Sequence, residues 1–245
     1  SPKSHMLSDD RQSLLSRDIA SSQTRAQFMS AMARVIGEFG LDHVTVMTAP
    51  GPGDNAIMPL VLESTLPAQF AREFDKNQFL RECPVLPKFR NSILPQTWHL
   101  DEQGPSVNFE CPPGMHALMR RYGLMMGAIF PMNSVDSGRY FLRYDGKRSL
   151  LHQVELNELG MISLHAFDVF DRMRRSETAA PNVLSARELE VLRWTAQGKT
   201  SIEIGQILSL SDHTVNAYMN NAIKKLDCVN RTQLVAKAIR LKLIN

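Results

Sequence analysis

The sequence predicts an α+β chain of two domains, an α/β/α sandwich followed by an all-α unit of four short helices. Three observations predict it. Residues 7–173 mix stretches of strand alternation with stretches of helical spacing. The segment RRSETAAPNVL, 174–184, breaks both patterns with Ser, Thr, Pro and Asn and has little to bury, so it reads as a linker with its boundary near Pro181. Residues 185–245 then show four helix starts in close succession.

Composition sets the outer limits. The chain has 245 residues, 43% hydrophobic and 22% charged, a globular balance that can build a core. No apolar run approaches the ~18 residues that span a bilayer and no signal-peptide order is present, so no membrane partner is expected. SPKSHM, residues 1–6, reads as a vector remnant with Met6 as the natural start. Cys83, Cys111 and Cys228 are too few and too scattered for a disulfide framework, and they share no metal spacing. A reducing, cytoplasmic location is the simplest reading. Charge is unevenly spread. Residues 181–245 hold 9 Lys or Arg against 5 Asp or Glu, and the remainder holds 19 against 20. A basic unit beside a near-neutral one points to anion binding by the second domain.

In the first domain, Phe28, Met32, Val35, Ile36 and Phe39 mark an amphipathic helix opened by Thr24 and closed near Gly40. HVTVMTA (43–49) reads as a strand. PAQFAREFDKN starts a helix at a proline, whose missing N–H costs nothing there. LMMGAIFPM and GRYFLRYDG read as paired strands joined by the turn NSVDSG. Leu159, Ile162, Ala166, Val169, Phe170 and Met173 stripe a long helix. That stripe is longer than a domain of this size needs to bury internally, which predicts a homodimer.

In the second domain, Ser185 with Glu188 and Thr200 with Glu203 fit capping boxes, Ser211 caps a third helix, and Asn230 with Gln233 opens a fourth in the same reciprocal way. Gly198-Lys199-Thr200 imitates the end of a phosphate loop, but Arg193 stands where the second glycine belongs and a helical run replaces the required strand. Gly198 instead ends one helix and Thr200 caps the next. Helices near 200–208 and 212–226 are separated only by SLSD, which makes a helix-turn-helix. Val215, Tyr218 or Met219, Ala222 and Leu226 form its buried stripe. The opposite face carries His213, Asn216, Asn220 and Lys224, sized to meet base edges or phosphates. A plain solvated bundle is the competing reading.

From Leu184 to Ile244 the sequence resembles the LuxR-type DNA-binding domain. Its Arg187-Glu188, Leu192-Arg193-Trp194, Gly198-Lys199-Thr200, Glu203-Ile204, Thr214-Val215, Lys225-Leu226 and Asn230-Arg231-Thr232 carry the likeness. The resemblance implies double-stranded DNA with a two-fold symmetric promoter site as partner, and a homodimer. It places base reading on Asn216 and Asn220, with His213, and phosphate contacts on Lys199, Thr200, Lys224 and Lys225. Asn216 departs from the family's basic residue, and asparagine suits adenine where arginine or lysine suits guanine.

The first domain lacks the strand-end carboxylates of a phosphorylated receiver. Residues 66–100 and the following YGLMMGAIFPM resemble instead the autoinducer-binding domain of quorum-sensing regulators. Pro67, Phe74, Phe79, Pro84-Val85 and Trp98 fall on that family's pattern. Leu66 replaces an aromatic residue, Phe70 replaces the tryptophan that donates to a lactone carbonyl, and Cys83 replaces the aspartate that accepts a ligand amide. Phenylalanine has no donor and cysteine is a weak acceptor. The implied ligand pocket is Leu66, Phe70, Phe74, Phe79, Cys83, Val85 and Trp98, with Tyr144 or Trp98 as substitute polar groups. An acyl-homoserine lactone, another apolar signal molecule, or no ligand at all remain open. No cofactor, metal or catalytic residue is expected. The functional reading is a DNA-binding regulator with an apolar sensor pocket; the alternative is a ligand-independent regulator whose first domain only dimerises.

Overall fold

The computed structural model describes residues 2–102, 110–178 and 184–245, with the side chains of 10–102, 110–177 and 184–245. The chain forms two compact units, Ser1–Ser176 and Glu177–Asn245. Pro181 lies outside the described residues. No described helix is long and apolar enough to cross a membrane.

The first unit is built on one antiparallel sheet, in the order β2-β1-β5-β4-β3. Its strands are β1 (His43–Thr48), β2 (Val61–Ser64), β3 (Gln96–His99), β4 (Met126–Asn133) and β5 (Arg139–Gly146). Alternation along the strands divides two apolar layers. Val44 and Val46 of β1 with Leu142 and Tyr144 of β5 face helices α1 (Pro2–Ala20), α2 (Arg25–Glu38) and α5 (Gln153–Thr178). Met47, Ile129 and Phe141 face the other way, toward α3 (Ala68–Lys76), α4 (Pro113–Arg121) and short 3-10 turns. Thr24 opens α2 by accepting from the Gln27 N–H, as its sequence implies.

Two expectations are corrected here. The segment 174–178 is not linker, because α5 runs unbroken to Thr178. Its last turns are anchored to the β4–β5 turn: Ser134 Oγ donates to Asp171 at 2.7 Å, while Arg174 holds Asp171 and Asp136 at 2.7 and 2.8 Å. The second concerns the stripe from Leu159 to Met173. It is consumed within the unit, where Leu159, Ile162, Ala166 and Phe170 are fully buried against Phe28 and the sheet. The apolar residues of α5 that stay exposed are Val154, Met161 and Leu164.

The second unit comprises α6 (Ala186–Ala196), α7 (Ser201–Leu208), α8 (Asp212–Lys225) and α9 (Arg231–Arg240). Both capping boxes are formed, at Ser185–Glu188 and Thr200–Glu203. At Asn230 the cap accepts from the Gln233 N–H, but Gln233 reaches back to the N–H of Val229 rather than of Asn230. Gly198 has φ +86°, so it ends α6 where a side chain would be strained. The tight α7–α8 turn passes through Ser209 at φ +58° and brings the Leu210 carbonyl against Gly205. Val215, Met219, Ala222 and Leu226 are the buried side of α8, and Tyr218 is half-exposed.

Candidate functional site

In the first unit, the face of the sheet under α3 encloses a cavity of about 290 Å³. Leu66, Pro67, Phe70 and Ala71 supply the α3 side, and Met47, Ile57, Val61 and Leu62 supply apolar wall from the sheet edge. Phe70 is 1% exposed. It is set edge-on to Tyr122 at 5.4 Å and tilted against Phe74 at 5.9 Å. Phe74 in turn meets Phe79 edge-on at 5.8 Å. Helical spacing explains this, since Phe70 and Phe74 are one turn apart on the buried side of α3.

The residues chosen from sequence separate into four groups. Leu66 and Phe70 line the cavity. Phe74, Phe79, Val85 and Trp98 belong to the same apolar layer but are packed behind that lining. Cys83 is half-buried and borders a second hollow of about 340 Å³, with Leu86, Arg81 and Arg90. Tyr144 is misplaced by the sequence reading. It is fully buried on the opposite layer, where its hydroxyl is 2.7 Å from Ser163 Oγ.

The residue on β5 that does face the cavity is Arg143, one position earlier, as the two-residue strand period requires. Alternation alone gives no signal for it, because arginine in a strand ordinarily marks a solvated face. Its Nε and Nη2 donate to Asp145 at 3.0 and 2.7 Å, and the side chains are 15% and 1% exposed. Burial alone pulls the guanidinium pKa down, and Asp145 more than compensates, leaving it above its ordinary value. Thr45 and Ser64, also on the lining, share a hydrogen bond at 2.7 Å.

The thiols are not activated. Burial pushes Cys83 up, against smaller downward pulls from the Val85 and Leu86 N–H groups and from Arg143. Cys111 is pushed up to about 12 by burial and by neighbouring Cys83. Both are protonated near neutral pH, which suits structural thiols rather than nucleophiles.

In the second unit, α8 presents His213, Asn216, Asn220 and Lys224 to solvent, on the side opposite Val215 and Met219. Thr200, exposed, caps α7, with Lys199 half-exposed beside it. Two details modify the expected roles. Ser201 Oγ donates to Asn216 Oδ1 at 2.6 Å, so α7 already orients the amide. Lys225 is drawn inward: its Nζ lies 2.9 and 3.0 Å from the two carboxylate oxygens of Glu188, whose side chain is 6% exposed. Glu188 accepts from the Ser185 N–H as well. Burial raises the Glu188 pKa, but Lys225 and Ser185 together hold it below the ordinary carboxylate value. Lys225 is therefore a structural partner of α6, with its side chain still 43% exposed.

Comparison with known proteins bears on both surfaces. The profile of the family described as "Autoinducer binding domain" matches residues 24–170, and that of "Bacterial regulatory proteins, luxR family" matches 182–238. The transcriptional activator protein BjaR1 of Bradyrhizobium diazoefficiens is 30% identical over 89% of this chain and 89% of its own. RpaR of Rhodopseudomonas palustris, a quorum sensing-dependent transcriptional regulator, is 30% identical over 79% of each. Among solved structures, Escherichia coli SdiA superposes with a TM-score of 0.71 at 22% identity, covering 96% of this chain and 98% of that one. SdiA in complex with octanoyl-rac-glycerol gives 0.69 at 23% identity, covering 94% and 93%. At such identity the structural likeness speaks to the fold alone.

Proposed function

The chain belongs to the LuxR family of autoinducer-binding, DNA-binding transcription regulators, and from that membership we propose a specific working mode. The protein binds a two-fold symmetric promoter site as a homodimer, and a small molecule in the first unit controls it. Activation is the sign that the named activators among its relatives suggest, and the cytoplasm is where such a regulator meets DNA. The cavity under α3 carries the sensor part of the proposal. A domain that served only to dimerise would have no use for such a space, and no observation favours that alternative.

Ordinary acyl-homoserine lactones bind this chamber weakly. Phe70, on its wall, has nothing to donate to a lactone carbonyl, and Cys83, a poor acceptor for an amide N–H, borders the second hollow instead of this one. Each lost hydrogen bond costs about 0.5–1.5 kcal/mol. Two together amount to about fivefold to a little over a hundredfold in affinity, at ~1.4 kcal/mol per factor of ten. An acyl tail still gains from burial, so longer chains bind better than shorter ones.

Calorimetry of the full chain against lactones of increasing chain length tests this, alongside Phe70→Trp combined with Cys83→Asp. Weak binding that the double variant strengthens is the expected result. Nanomolar binding by the unaltered protein would sink the reading of the wall.

A further inference from the structure

Asn216 is exposed on α8, yet its amide is not free to turn. Ser201, the first residue of α7 after the Thr200 cap, is half-buried and donates to Asn216 Oδ1 at 2.6 Å. That bond crosses between the two helices of the helix-turn-helix. The helices cannot drift apart beneath it, because the turn is closed tightly: the Leu210 N–H donates to the Gly205 carbonyl at 2.8 Å, and a side chain at Gly205 would collide with the Leu210 carbonyl. The Asn216 Nδ2 has no partner among the described residues.

We infer that Ser201 is a positioning residue that makes Asn216 a donor-only reader of bases, so that Asn216 selects guanine instead of the adenine that asparagine ordinarily suits. The inference rests on the DNA-binding reading above and names the base edge that one residue of α8 meets.

The argument is one of donors and acceptors. An amide reads adenine with both ends at once, Oδ1 accepting from N6 while Nδ2 donates to N7. Here Oδ1 is directed at α7. Turning it toward a base would break the Ser201 bond and leave a half-buried hydroxyl without its acceptor, a loss that offsets much of the new contact. The end left for the groove is Nδ2, with two hydrogens and no acceptor. Guanine shows two acceptors, N7 and O6, and asks for no acceptor in return. Adenine N7 and thymine O4 offer one acceptor each, and the cytosine amino group would set donor against donor. The expected order is therefore guanine first, adenine and thymine behind it, and cytosine last.

The test uses the full-length protein and a site selected from random-sequence DNA. The base pair that Asn216 meets is the one at which Asn216→Ala flattens discrimination. At that position the unaltered protein should favour a G·C pair over either orientation of A·T by at least about fivefold, the lower end of what a two-bond contact discriminates. Replacing its guanine by 7-deazaguanine, which lacks the N7 acceptor, should weaken binding severalfold. Ser201→Ala frees the amide, and A·T should then equal or overtake G·C at that position alone, with the salt dependence of binding unchanged. Ser201→Thr keeps the hydroxyl and should keep the preference for guanine.

Preference for A·T in the unaltered protein, or a G·C preference indifferent to 7-deazaguanine, which would mean that an outward Oδ1 reads cytosine, overturns the inference. So does a Ser201→Ala variant that weakens all base pairs alike, since Ser201 would then only tie α7 to α8. If Asn216→Ala flattens no position, the role of Asn216 falls and this inference with it, while DNA binding stands. Failure of the full-length protein to select any sequence at low salt removes the DNA-binding reading itself.

Discussion

Replacing Lys225 by methionine distinguishes a lysine that holds the fold from one that holds DNA. The structure gives Lys225 two contacts, both to Glu188, at 2.9 and 3.0 Å. The carboxylate is almost buried and the lysine side chain is 43% exposed, so the pair lies between a surface bridge and an interior one. Surface pairs contribute ~0–1 kcal/mol, whereas breaking a buried pair costs ~3–5 kcal/mol. Solvent reaches the lysine, and Ser185 keeps donating to Glu188, so the loss should be about 1–2 kcal/mol, weighing those two ranges. Thermal unfolding of the full chain reads this as a lower midpoint for the helical unit, ~4–8 °C per kcal/mol for a domain of this size. DNA binding supplies the second readout. A lysine on a phosphate contributes about −0.9 to the slope of log affinity against log salt. Lys225→Met should leave that slope unchanged, while Lys224→Met should flatten it and leave the midpoint alone. A flattened slope with unchanged stability for Lys225→Met would refute the assignment.

Asn216→Ala should relax discrimination at one position of the site by ~1–3 kcal/mol, measured by ranking single-base variants of a selected site; an unchanged ranking would show that another face reads the bases. Gly205→Ala should destabilise the second unit by ~1–3 kcal/mol in urea unfolding, because the added carbon falls 2.5 Å from the Leu210 carbonyl oxygen of the tight turn. The Glu188 pKa is lowered in the folded state, so its stabilisation is present above the ordinary carboxylate value and is lost as pH falls through the lower folded value. Glu188→Gln should therefore flatten the acid limb of a stability–pH profile, and an unaltered limb would contradict the shift.

Legibility in the sequence differed sharply between the two units, for physical reasons. In the second, helix starts are written in side-chain chemistry: Ser185, Thr200 and Ser211 each cap where their spacing implied. The face of α8 followed from the burial of Val215 and Ala222. What spacing could not reveal was the length of side chains reaching across helices, which is how Lys225 finds Glu188 and Ser201 finds Asn216. In α6, Val191, Leu192 and Thr195 take the inner positions while Ala196 is exposed. In the first unit, β1, β4 and β5 announced themselves through alternation, but β2 and β3 are four residues each and too short to show a period. Helix α1 lacks an apolar stripe of ordinary strength and contributes chiefly Leu15 and Ile19 to the core. The chamber suffered from the same limit. Motif likeness found Leu66 and Phe70, while the choice between Tyr144 and Arg143 needed the strand register, in which one residue changes the face.

That register also makes the two halves of the proposed wall reversion unequal. Phe70 borders open cavity, so the larger indole of Phe70→Trp grows into space and brings a donor with it, instead of overpacking a filled core. Cys83 lies within the electrostatic reach of Arg143, which pulls its thiol downward against burial. An aspartate placed there would be ionised by the same charge and drawn to the same guanidinium, leaving fewer lone pairs for a ligand amide. Phe70→Trp alone should thus recover most of the lactone affinity that the double variant recovers, and Cys83→Asp alone should recover little. Equal gains from the two single variants, measured by calorimetry on one lactone, would mean that Arg143 turns away from position 83 when a ligand is bound.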